Sequence, residues 1–426
     1  MLMQKPTYPD STTIHRHVLP NGIVVLIYEN AASQSVVVDG LVRAGALAES
    51  REQAGLSSFT SAMLMRGTEK RPFAHIYETT ESIGASMGFS SGYFSTGFAA
   101  KGLVEDFDLL LDLLAQSLRH PTFPTEEVEK MRGQYLTALH MRADNTQQMA
   151  SLRFHEALYP DHPYGRSTSG YFDSIEAITR DEIAAFHADY YHPQGMILTV
   201  VGGVKAKDVL MGITAVFADW THPSPKPIPA MPPAHRPRAS ERVFVELPDK
   251  SQSDILIGLP APMRSAPDYL DASLMNTILG VFGMMGRIGQ VVREEKNLAY
   301  YAYSRLQGGL GPSPMYAAAG VAPDKVDEAI EAILGEIERM RTELVPLEEL
   351  ADSQAYRTGS MPVGLETNEG LAGIITDMEL YALGLDYLQT FSDSINAITP
   401  ERVRAAAQKY WSTEQVVIAV AGSNNG

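Results

Sequence analysis

The order of apolar and polar positions lays out the elements of this chain. Residues 18–28 read Val-Leu-Pro-Asn-Gly-Ile-Val-Val-Leu-Ile-Tyr. Asn21-Gly22 is a strong turn signal and strand formers follow it, which predicts a hairpin. Residues 35–42 give a second apolar strand. Between 83 and 100, Gly84, Gly88, Gly92 and Gly97 alternate with aromatics and serines, the pattern of one or two strands with close backbone approach. From 103 to 118, Phe107, Leu110, Leu111, Leu114 and Leu118 recur at helical spacing, and Pro121 and Pro124 break that run. Thr125, followed by Glu126 and Glu127, caps a further helix. Its apolar face is Val128, Met131, Tyr135, Ala138 and Leu139, so Ala138 is expected as small core packing.

The pattern then repeats. Residues 173–179 read Asp-Ser-Ile-Glu-Ala-Ile-Thr, with Tyr190 later and Thr-Val-Val-Gly at the end; residues 393–399 read Asp-Ser-Ile-Asn-Ala-Ile-Thr, with Tyr410 later and Ala-Val-Ala-Gly at the end. The offset is 220 throughout. The helix of Phe107, Leu111, Leu114 and Leu118 is echoed by Val326, Ile330, Ile333 and Ile337. Two copies of one α/β unit are implied. Between them, residues 221–238 hold seven prolines, the composition of an extended, semi-rigid linker. The expected organisation is a domain at 1–220, the linker at 221–238 and a second domain at 239–426.

Composition narrows the function. A chain of 426 residues is too long for one ordinary core. The net charge of −17 argues against nucleic acid, which needs clustered Lys and Arg. The absence of cysteine excludes disulfides and thiolate metal sites. No apolar run is long enough for a membrane span, and residues 1–10 lack the apolar core of a secretory signal. Cytoplasmic and periplasmic settings both fit. The histidines are scattered: His162 sits in the turn-rich loop 158–165 without a second ligand at metal spacing. His187 and His192 are five apart, which does not stack them on one helical face.

Residues 55–68 read Gly-Leu-Ser-Ser-Phe-Thr-Ser-Ala-Met-Leu-Met-Arg-Gly-Thr. This stretch resembles the zinc-site helix of the pitrilysin/insulinase-type metallopeptidases, the family that includes mitochondrial processing peptidase. Active members read roughly Gly-Leu-x-His-x-x-Glu-His-Met-x-x-x-Gly-Thr there. Gly55, Leu56, Met63, Gly67 and Thr68 keep that frame. Ser58 stands in place of the first His, Ser61 in place of the Glu, and Ala62 in place of the second His. The family's third ligand, a Glu about 76 residues beyond, falls on Ala138. A catalytic zinc needs about three imidazole or carboxylate ligands and a general base; serine hydroxyls and alanines supply none of these. The resemblance therefore implies a chain that binds no metal and carries no cofactor of its own. Over the whole chain it implies an α/β (α+β) fold of two homologous domains. Each is a mostly antiparallel sheet flanked by helices, and together they form half of a clam shell around a cleft.

The same resemblance assigns two further sites. The family uses an edge strand of the region 83–100 to bind substrate as an added strand, through main-chain hydrogen bonds; here that points to Gly88, Phe89 and Ser90, although a plain sheet strand explains the pattern equally well. Residues 279–304 look like the family's second-domain signature: a glycine-rich turn, a short helix with Arg-Glu, then Leu-x-Tyr entering a strand. Arg293 and Tyr300 match an Arg and a Tyr that hold the tetrahedral intermediate in the family. A guanidinium and a phenol are suitable donors for a developing oxyanion. The competing reading pairs Arg293 with Glu294 or Glu295 and packs Tyr300 into the strand. Tyr301 cannot share Tyr300's direction, because adjacent strand residues face opposite ways.

Two functions follow. In the first, the chain is the non-metal subunit of a heterodimeric zinc endopeptidase, inactive alone. Its homologous partner carries His-x-x-Glu-His and the zinc, and the pair hydrolyses peptides. In the second, it is a non-catalytic structural or peptide-binding subunit of a larger complex.

Overall fold

The computed structural model describes residues 8–423. Its strands are β1 (Ile14–Val18), β2 (Val24–Glu29), β3 (Ser35–Val42), β4 (Ser86–Ser91), β5 (Thr96–Leu103), β6 (Ile197–Gly202), β7 (Glu241–Glu246), β8 (Ser253–Pro260), β9 (Ala299–Leu306), β10 (Pro314–Val321) and β11 (Val417–Gly422). The helices of the first half are α1 (Leu56–Met63), α2 (Phe73–Ser82), α3 (Phe107–Arg119), α4 (Thr125–Ala143), α5 (Thr146–Leu158), α6 (Phe172–Ala177), α7 (Arg180–Tyr190) and α8 (Ala206–Phe217). Those of the second are α9 (Tyr269–Gly280), α10 (Phe282–Gly289), α11 (Val326–Thr342), α12 (Leu347–Gly364), α13 (Asn368–Leu380), α14 (Tyr387–Asn396) and α15 (Pro400–Tyr410).

The chain forms a mixed α/β fold with two compact units. The first contains residues 1–137, 167–230 and 362–389; the second contains 138–166, 231–361 and 390–426. The proline-rich segment passes from one unit to the other at Ala230 and Met231, and it has no regular secondary structure.

The first unit is built on a six-stranded sheet of order β1-β2-β6-β3-β5-β4. β2 and β6 pair in parallel and the other neighbours are antiparallel. β6 lies inside the sheet and all six of its residues are buried, which is why it reads as a continuous apolar run rather than an alternation. The Asn21-Gly22 turn joins β1 to β2, with Gly22 at φ +91°. β4 closes the sheet as a free edge and carries only small residues beside Met87 and Phe89. α13 lies on β3 and β6, where Asn368 donates to Ser33 Oγ at 2.9 Å and Thr376 donates to Asp39 Oδ1 at 2.8 Å. α3 packs on β5 from the opposite face, since Leu110 crowds Gly102, one residue along from the exposed Lys101. α3 begins at Phe107, later than the apolar run suggests. Leu103 ends β5, and 104–106 is a single tight turn.

The second unit repeats this plan with the order β7-β11-β8-β10-β9, again with one parallel pair, β7 with β11. β11 is buried along its whole length, as β6 is. α5 lies on β8 and β11. Its first residue, Thr146, donates to the buried carboxylate of Asp254 on β8, which also accepts from the Tyr301 hydroxyl on β9. β9 is the free edge here. α11 carries the echoed stripe, with Val326, Ile330, Ile333 and Ile337 all buried.

Candidate functional site

α1 is held by the residues that kept the family frame, and each has a structural task. Gly55 precedes the helix at φ +95°, and a Cβ there would lie 2.9 Å from both Gly170 Cα and Ile175 Cδ1; only glycine fits. Leu56 and Met63 are buried in the core. Gly67 sits at φ +136°, and Thr68 Oγ1 accepts the Arg71 N–H at 3.1 Å. The helix N-terminus is capped from outside: buried Glu49 accepts the N–H groups of Gly55, at 3.0 Å, and of Ser57. This satisfies orphan donors and places an anion at the positive end of the helix. Phe59, fully buried, stacks on Tyr135 of α4 at 5.1 Å.

The positions where the family carries its chemistry do something else. Ser61 is buried and its hydroxyl donates to the Ser58 carbonyl at 2.8 Å, one turn back. The Ser58 side chain hydrogen-bonds the Tyr135 hydroxyl. Burial pushes that phenol's pKa up, against the effect of the bond from Ser58. Ala62 offers no donor atom. This set does not fit zinc, whose sites need imidazole or carboxylate, and among the described residues no cluster of three His, Asp or Glu is placed to hold a metal.

Ala138 corrects one expectation. It is exposed on α4, not packed in a core; Val128, Met131 and Leu139 are the buried apolar residues of that helix. At 100° per residue Ala138 falls on the flank of their stripe. His162, by contrast, is consumed structurally: its ring bonds the Pro232 carbonyl at 3.0 Å and accepts the Tyr164 N–H at 3.1 Å. His187 donates to the Leu118 carbonyl at 2.9 Å, and burial lowers its pKa to about 4.

Beside α1, the free edge strand β4 borders a groove of about 380 Å³. Ser57 of α1 hydrogen-bonds Ser91 at the end of β4. The groove is lined by Gly88, Phe89 and Ser90 of β4, Gly97 and Ala99 of β5, and Asp39 of β3. Gly88 and Ser90 are exposed, so the strand offers an accessible backbone with almost no side chain over it. Asp39 was not singled out from the sequence. A lone carboxylate in the apolar run 35–42 was the available signal. Burial raises its pKa, and the hydrogen bond from Thr376 works in the opposite direction.

Arg293 and Tyr300 belong to the second unit. Arg293 lies on a π-helical stretch, 290–295, and its Nε is 3.2 Å from Glu294 Oε1. Ahead of it, Gly283, Met284 and Gly286 all have positive φ, so the glycine-rich turn winds left-handed before the chain resumes. Tyr300 stands on β9, 86% exposed, with no hydrogen bond among the described residues. Its neighbour Tyr301 points the other way, to Asp254.

Comparison with known proteins agrees with this geometry. A model of the insulinase family, peptidase family M16, matches residues 24–171, and a model of the peptidase M16 inactive domain matches 177–356. An uncharacterized zinc protease of Streptomyces coelicolor is 25% identical over 399 residues, covering 93% of this chain and 87% of that protein. Another, YmxG of Bacillus subtilis, is 22% identical over 412 residues, covering 97% and 99%. Among solved structures, a peptidase M16 inactive domain from Pseudomonas fluorescens superposes with a TM-score of 0.90 at 25% identity, covering 96% of this chain and 98% of that one. A protease from Helicobacter pylori has a TM-score of 0.89 at 19% identity, covering 97% and 100%. The chain belongs to peptidase family M16, the insulinase family.

Proposed function

We propose that this chain is the non-metal-binding subunit of a heterodimeric zinc endopeptidase. A homologous partner carrying His-x-x-Glu-His holds the zinc. This chain binds the peptide along β4, at Gly88, Phe89 and Ser90, and contributes Arg293 and Tyr300 to the partner's site. The observation that carries the reading is the division of labour within α1. Every frame position that supports the fold is kept, and every position that would bind zinc or take a proton is replaced by Ser or Ala. The open β4 edge supports peptide binding, since its unpaired main-chain groups are what an added strand requires. The exposed, unbonded Tyr300 hydroxyl supports a role outside its own unit.

Chemically, attack on a peptide carbonyl leaves negative charge on its oxygen. A guanidinium and a phenol fixed in place stabilise that charge without reorganising. A second reading, a non-catalytic structural or peptide-binding subunit of a larger complex, has one observation in its favour: Arg293 is already paired with Glu294. Co-expression with a homologue bearing the intact metal motif tests the first reading. It expects a stable pair that hydrolyses peptides, with little hydrolysis by either chain alone. A homologue fully active alone and unaffected by this chain favours the second.

A further inference from the structure

We propose that β7 is a self-association edge: two copies of this chain pair antiparallel along it, with Phe244 opposite its own copy and Arg242 opposite Glu246. The proposal goes beyond the heterodimer reading and does not depend on it, since Tyr300 lies on β9, the opposite edge of the same sheet.

The two units differ at this edge. β2 pairs in parallel with β6, and β7 pairs in parallel with β11. Val417, at the offset of 220 from Ile197, faces Glu241 as Ile197 faces Val24. β7 is thus the counterpart of β2. The outer side of β2 is taken by β1, whereas no strand of the second sheet takes the outer side of β7. Arg242, Phe244 and Glu246 are all exposed, Phe244 by 43%. An edge left open with an aromatic side chain on it is a template for another strand.

The backbone decides which residues are available. The Glu241 N–H donates to the Val416 carbonyl, and the Leu247 N–H, just past the strand, donates to that of Gly422. Odd-numbered residues of β7 therefore turn their N–H and C=O groups toward β11, and even-numbered ones turn theirs outward. With Phe244 opposite Phe244 of the second copy, Arg242 falls opposite Glu246 on both sides of the two-fold axis. All three residues then exchange main-chain bonds, and their side chains share one face. A shift of two residues sets Phe244 against Arg242 or Glu246, and a shift of four sets Arg242 against itself or Glu246 against itself. Only the central register matches opposite charges. Asp327 of α11 holds one nitrogen, Nη1, of Arg242 at 2.7 Å, which leaves the others as donors. Pro248 has no N–H and ends the ladder. The other sheet edges lack such a self-match: β1 carries only basic side chains, β4 carries no charge, and β9 carries Arg305 alone.

The test is sedimentation velocity on a dilution series of the chain purified alone. Edge pairing makes a small interface, so dimerisation is expected at roughly 10–100 µM. Arg242→Glu and Glu246→Arg each oppose like charges and should each weaken it about tenfold. The double variant Arg242→Glu/Glu246→Arg exchanges the charges and should restore the wild-type dimer, although it too lacks the Asp327 pair. Phe244→Pro removes an outward N–H that β11 does not use, so it should keep the strand in its sheet and abolish the dimer. Thermal melts establish that the variants are folded. A wild type that stays monomeric across that range, a dimer indifferent to Phe244→Pro, or a charge exchange that does not rescue overturns the proposal.

Discussion

Removing the Glu49 carboxylate should loosen α1, by an amount the contacts set. Glu49 is 6% exposed and accepts two N–H groups at the start of α1. Hydrogen bonds to a charged acceptor contribute about 1.5–3 kcal/mol each, and an anion at a helix N-terminus adds about 0.3–1 kcal/mol. The desolvation of the carboxylate itself offsets part of this sum. Glu49→Ala should therefore cost about 3 kcal/mol, because it leaves two buried donors without partners. Glu49→Gln should cost about 2 kcal/mol, since one amide oxygen serves one N–H while the NH2 group opposes the other. The chain has two tryptophans, Trp220 in the first unit and Trp411 in the second. In a Trp411→Phe background, fluorescence-monitored urea unfolding follows the unit that contains α1. The corresponding fall in Tm is roughly 6–12 °C at about 2–4 °C per kcal/mol. A loss below about 0.5 kcal/mol for Glu49→Ala, the level of an ordinary surface change, would refute the capping argument. So would Gln proving worse than Ala.

Three further outcomes are expected. Tyr300→Phe should leave the stability of the isolated chain within about 0.5 kcal/mol, because the hydroxyl bonds nothing described. In the reconstituted pair it should lower kcat roughly 100- to 1000-fold, and unchanged turnover removes its role. His187 has a folded-state pKa lowered to about 4. The unfolded chain thus takes up the proton first, and stability falls as pH drops from about 6.5 through 4, by about 3 kcal/mol in all; urea midpoints for His187→Gln should lose that slope, and an unchanged slope contradicts it. Finally, the chain purified alone should carry far less than one equivalent of zinc by metal analysis, and Ala62→His alone should not restore binding, because Ser58, Ser61 and Ala138 still offer no ligand. Stoichiometric zinc on either protein contradicts the reading of α1.

The sequence made much of this legible because the signals were local. The Asn21-Gly22 turn, the Phe107 to Leu118 stripe and the Gly55 to Thr68 frame each depend on neighbours in the chain, and each formed as expected. The echo at offset 220 ends on the buried strands β6 and β11, one in each unit. What escaped depends on distant partners. Nothing in the periodicity of residues 146–158 says that α5 lies on β8 and β11, or that α13 lies on β3 and β6. Ala138 was misplaced because a helical stripe fixes a face only to within a residue on its flank. The left-handed turn through Gly283, Met284 and Gly286 and the π-helical stretch at Arg293 lie beyond any two-state pattern of apolar and polar residues. Asp39 passed unnoticed because its hydrogen-bond partner, Thr376 of α13, lies far along the chain and not on its own strand.

The central claim is that this chain completes another subunit's site with its own side chains. The direct measurement titrates the wild-type chain, and separately the Arg293→Ala/Tyr300→Phe double variant, into a fixed amount of the zinc-loaded homologue while peptide hydrolysis is followed. The account predicts that the wild type raises hydrolysis to a plateau at one equivalent, whereas the double variant co-elutes with the partner and leaves hydrolysis near the partner's own level. Equal activation by both, or none by either, would contradict it.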